Sequence, residues 1–106
     1  MGNGWENVPG RLKQISVGNA SHVWGVSASD QIYRRVGSGW EHVPGALKHI
    51  AVGSDGAVWG VNAADQIYQR ANSGWVRIPG ALKQIDVGRA DLVWGVNADD
   101  TIYRRL

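Results

Sequence analysis

The chain of 106 residues contains no cysteine, no phenylalanine and a single methionine, its first residue. Without cysteine, a disulfide scaffold, a zinc–thiolate site and a thiol nucleophile are all excluded. Long apolar runs are also missing, and the longest are of the Val-Trp-Gly-Val kind. These fall far short of the roughly 20 residues of a transmembrane helix or the apolar core of a signal peptide. The expectation is a chain without membrane insertion, cytoplasmic or non-classically exported. Charge of either sign is scarce, with 11 Lys and Arg against nine Asp and Glu, a net +2 spread along the chain. No basic stripe for nucleic acid follows from that balance.

Signatures of catalysis and metal binding are equally thin. His22, His42 and His49 sit at unrelated places and form no HxH or HxxxH pair, so no metal site is expected. Asp99 and Asp100 are adjacent on a turn, where neighbouring side chains point apart. No Gly-x-Ser-x-Gly elbow or phosphate loop is present. The expectation is a non-enzymatic protein with no cofactor.

What the chain does hold is six tryptophans and 15 glycines in strict repetition. Gly-Trp recurs at Trp5, Trp40 and Trp75, Pro-Gly at Pro9, Pro44 and Pro79, and Leu-Lys at Leu12, Leu47 and Leu82. Val-Trp-Gly-Val holds Trp24, Trp59 and Trp94, and Ile-Tyr holds Tyr33, Tyr68 and Tyr103. Every series has an offset of 35 residues, which predicts one domain of three ungapped repeats, 2–36, 37–71 and 72–106. Each repeat reads as four short strands rich in Val, Ile, Trp and Tyr, punctuated by Gly, Asn, Asp and Ser. A Gly-Trp strand closed by a Pro-Gly turn comes first. Leu12–Val17, Val23–Val26 and Gln31–Arg35 follow, with a polar turn at Ser27–Asp30. No stretch sustains a 3.6-residue apolar period, so no helix is expected.

Four strands per near-identical unit predict an all-β fold, a β-propeller with three four-stranded blades. Propellers typically carry about four to eight blades, and two copies of this chain supply six. The phase places Leu12–Val17 innermost and the Gly-Trp strand outermost, on the blade of the preceding unit. The last blade then lacks its outer strand and Gly4–Val8 lacks its blade. Homodimerisation with exchange of that strand would close a six-bladed ring and cover unpaired strand edges.

The mid-strand Trp24, Trp59 and Trp94 are expected to pack between blades. Trp5, Trp40 and Trp75 lie nearer a rim. Beside them the polar turns carry Asp30, Asn62 with Asp65, and Asn97 with Asp100. Arg35, Arg70 and Arg105 recur close by. An aromatic wall with amide and carboxylate acceptors suits a sugar, whose C–H faces stack on rings while its hydroxyls seek paired donors and acceptors. Trp5, Trp40, Trp75, Asp30, Asn62, Asp65, Asn97 and Asp100 are therefore the candidate ligand-binding residues.

The motif Gly-Trp-x-x-Val-Pro-Gly-x-Leu-Lys-x-Ile-x-Val-Gly, then Val-Trp-Gly-Val-Asn, then Asp-x-Ile-Tyr-x-Arg, resembles the tectonin repeat of tectonins and fish egg lectins. It spans all three units, and the second, Gly39 to Arg70, matches best. Ser27 stands where the repeat has Asn. The resemblance implies a six-bladed propeller that binds glycans or lipopolysaccharide. It makes a multivalent lectin the leading functional expectation. A protein-interaction module or a purely self-assembling scaffold, such as an engineered half-propeller, is the alternative, and a hydrolase ranks last.

Overall fold

The structure is a computed structural model that describes residues 4–106. It contains eleven strands in three antiparallel sheets and no helix among the described residues. The first sheet orders β1 (Gln14–Asn19), β2 (His22–Val26), β3 (Gln31–Val36) and β4 (Gly39–Ala46) from inside to outside. The second repeats the plan with β5 (His49–Val52), β6 (Val58–Val61), β7 (Gln66–Ala71) and β8 (Gly74–Ala81). The third holds β9 (Gln84–Arg89), β10 (Leu92–Val96) and β11 (Ile102–Arg104).

Among the described residues the blades thus hold four, four and three strands, the last without an outer strand as the phase of the repeat predicts. Each outer strand is the Gly-Trp segment of the following unit, so none of the three repeats supplies one to the third blade within the same chain. Gly4–Val8, the corresponding segment of the first unit, joins no sheet.

Pro44-Gly45 does not end its strand as the sequence suggests. β4 continues to Ala46 through a bulge, where Gln31 faces Ala46 and Ile32 faces Val43. The same bulge recurs in β8, where Gln66 faces Ala81 and Ile67 faces Ile78. Proline is tolerated because β4 is outermost and needs no N–H on its free side. Gly45 supplies the left-handed backbone, with φ of 124°.

The inner strands stack side by side, β1 on β5 and β5 on β9. A Cβ at Gly18 would collide with the Gly53 carbonyl oxygen, so glycine permits this close approach. Two cores fill the spaces between blades. The first sets Trp24, Val26 and Ile32 against Ile50, Val52 and Val58. The second sets Trp59, Val61 and Ile67 against Ile85, Val87 and Val93.

At the two ends of the arc the same residue types stand bare. Ile15 is 54% exposed whereas its equivalents Ile50 and Ile85 are 0% and 2%. Trp94 is 44% exposed whereas Trp24 and Trp59 are 6% and 3%. Identical side chains at identical positions differ only in having a neighbouring blade.

Candidate functional site

The polar turns between the second and third strands are built alike in every unit. Asp30, Asp65 and Asp100 close them in the left-handed region, with φ of 64°, 64° and 65°. Each donates its N–H across the turn, to Ser27 O at 3.0 Å, Asn62 O at 2.9 Å and Asn97 O at 3.0 Å. Short polar side chains tolerate this backbone better than any other non-glycine type.

The residue at the start of each turn is committed to holding its shape. Asn62 Oδ1 accepts from the N–H of Ala64 at 3.0 Å and of Gln66 at 2.9 Å. Asn97 Oδ1 accepts likewise from Asp99 and Thr101, at 2.9 and 3.0 Å. Ser27 Oγ does the same for Ser29 and Gln31, less closely, at 3.3 and 3.1 Å.

Each turn carboxylate meets the lysine of the Leu-Lys motif. Lys13 Nζ donates to Asp30 Oδ1 at 2.5 Å, and Lys48–Asp65 and Lys83–Asp100 repeat the pair. The hydrogen bond from Lys83, and then its charge, hold the Asp100 carboxyl below its ordinary value. These lysines were not among the residues singled out from the sequence. Their signal is there, since a Lys precedes each turn Asp by 17 residues in all three units.

The rim tryptophans are placed differently. Trp40 Nε1 donates to Pro9 O at 3.0 Å and Trp75 Nε1 to Pro44 O at 2.9 Å, each reaching the preceding outer segment. Both are half-buried, and Trp5 is fully exposed. Among the described residues no hydrogen bond joins a rim Trp to a turn Asp or Asn, so the candidate set falls into two groups.

Arginines link the rim and mid-strand rings. The Arg70 guanidinium lies over Trp75 at 5.2 Å and over Trp24 at 5.8 Å, and the two rings meet edge-on at 6.3 Å. Arg70 Nη1 is buried without a hydrogen-bond partner, and two ring faces offset that desolvation. Arg35 lies over Trp40 at 5.1 Å and Arg105 over Trp59 at 5.4 Å. Among the described residues, only the contact between the first and second blades holds the full set of two rings and one guanidinium.

No group of three or more His, Asp or Glu that could hold a metal occurs among the described residues. No helix there is long and apolar enough to cross a membrane.

Antiparallel sheets of four, four and three strands, packed with their inner strands side by side, define a β-propeller protein. The chain belongs to the Tectonin family: the Tectonin domain model matches residues 1–38 and 11–106. No curated protein matches it. Among solved structures, YCF48 bound to D1 peptide is similar, with a TM-score of 0.68 at 16% identity. The likeness covers 89% of this chain and 36% of that one, so this chain spans about a third of that propeller's length.

Proposed function

We propose that the protein is a multivalent lectin that closes, as two copies, into a six-bladed ring and binds glycans or lipopolysaccharide. The observation that carries this reading is the threefold repetition of one polar turn with its Lys–Asp pair, all in one geometry. Each turn offers an ammonium donor beside a carboxylate acceptor, the combination a pyranose hydroxyl pair requires. Asp30, Asp65 and Asp100 supply the acceptors, and Asn62 and Asn97 set the turn. Trp40, Trp75 and Trp5 supply apolar faces along the rim. Single sugar contacts are weak, and six repeated sites turn them into avidity for a glycan-coated surface. Membership of the Tectonin family supports the reading.

Agglutination of glycan-bearing cells, reversed by a free monosaccharide, is the expected behaviour. Lys48→Ala and Asp65→Ala, in folded protein, should each weaken it. A glycan array without a single binder contradicts the proposal.

A second reading is supported by YCF48, a propeller of this fold whose solved structure is bound to D1 peptide. On that reading the rim receives a partner protein, and the residues that vary between repeats, such as Asn7, His42 and Arg77, set its identity. Agglutination that no sugar reverses, with capture of a defined peptide, would favour it.

A further inference from the structure

A groove of about 700 Å³ lies between the second and third blades, bounded by Trp59, Pro79 and Gly80 on one side and by Arg105 and the free edge of β11 on the other. The two other blades show what fits such a place. In each, a Gly-Trp segment adds to the third strand, and its Trp seats on the glycine of the preceding Pro-Gly and donates to the proline carbonyl. Gly10 is covered in this way by Trp40, and Gly45 by Trp75. Gly80 has no ring on it; a Cβ there would meet only Ile67 Cδ1, at 3.4 Å.

We infer that this groove is a receptor for Gly4–Val8 of a second copy, with the partner's Trp5 seated on Gly80 and donating its Nε1 hydrogen to Pro79 O. The inference rests on the two-copy ring proposed above and specifies how that ring is sealed. The register follows from β3 and β4, where Arg35 faces Trp40, Arg34 faces Glu41 and Tyr33 faces His42. Moved by two repeats, it sets Arg105 opposite the partner's Trp5, Arg104 opposite the partner's Glu6 and Tyr103 opposite the partner's Asn7.

Two features select this occupant over another segment of similar shape. The first is charge. Arg34 Nε donates to Glu41 Oε1 at 2.5 Å in the first blade, and the second blade has Gln69 facing Val76 instead. Arg104 with the partner's Glu6 restores the Arg–Glu pair. The second feature is the ring stack. Arg105 lies over Trp59 as Arg70 lies over Trp24, and the second ring that Arg70 enjoys is missing. The partner's Trp5 supplies it.

The inner strands complete the seal by the same equivalence. Gln14 brackets Ile50, donating to its carbonyl and accepting from its N–H, both at 2.8 Å. Gln84, two repeats on, is exposed and free to bracket the partner's Ile15, whose counterpart in this chain is bare.

Disulfide trapping tests the register, because the chain has no cysteine of its own. The Asn7→Cys, Tyr103→Cys double variant, oxidised, should run on a denaturing gel as a covalent dimer. Asn7→Cys paired with Asp91→Cys serves as the off-register control and should not. A dimeric double variant that forms no crosslink overturns the inferred seam and leaves the two-copy ring standing. A crosslink within one chain overturns the partner assignment. A folded monomer in solution, with no crosslink, overturns both. Trp5→Ala should weaken the dimer at least tenfold, and an unchanged dissociation constant also overturns the seating of that ring.

Discussion

Asp55 shows what one side chain does for the contact between blades. It lies in the loop between β5 and β6, and its carboxylate accepts from Ala57 N at 3.2 Å and, across to the third blade, from Ala90 N at 2.9 Å. The Ala90 bond, followed by the Ala57 bond, holds its pKa below the ordinary 3.8. A folded-state value below the unfolded one adds stability that is full above the ordinary value and is lost as pH falls through the lowered one. Urea midpoints of Asp55→Asn against the parent should therefore differ at neutral pH and converge in strong acid. Parallel curves across the acid range would contradict this. Glycines divide as sharply. Gly18→Ala drives a methyl into the Gly53 carbonyl and should cost about 1–3 kcal/mol. At Gly74 a Cβ meets nothing within 4 Å, so Gly74→Ala should leave the melting temperature nearly unchanged.

Among the elements, β2, β6 and β10 carry the same Val-Trp-Gly-Val run in different surroundings. Trp24 is sealed between two blades, and Trp24→Ala should destabilise the fold by about 3–5 kcal/mol in denaturant titration. A loss below about 1 kcal/mol would mean that the first core is not the one described. The strands, their order and the outward place of the Gly-Trp segment were legible in the sequence, because β-branched and aromatic residues alternate with turn formers at a fixed period. The run of β4 through Pro44-Gly45 was not. A Pro-Gly pair signals a turn, and only the outermost position of the strand makes the bulge acceptable. The Lys–Asp pairs were hidden for another reason. Partners 17 residues apart meet only once the first two strands of a blade have paired as a hairpin. The recurring arginines Arg35, Arg70 and Arg105 lie over tryptophan rings, a contact between strands that their spacing does not reveal.

At the scale of the whole molecule the arc has two unfinished ends that match each other. Ile15 and Val17 are bare at one end, Trp94 and Ile102 at the other, and both sets are residue types that the interior of the arc buries. If the ends meet in a second copy, folding and association are coupled, and the melting temperature should rise with protein concentration. A melting temperature independent of concentration would speak for a self-sufficient single chain. Trp94→Ala should act mainly here, lowering the association constant more than it disturbs either intrachain core. Sedimentation equilibrium of the unmodified chain at low micromolar concentration is the most direct test of closure. The two-copy ring predicts twice the chain mass of 11.5 kDa with native β-sheet content. A well-folded species of 11.5 kDa, or an assembly of any number other than two, would contradict it.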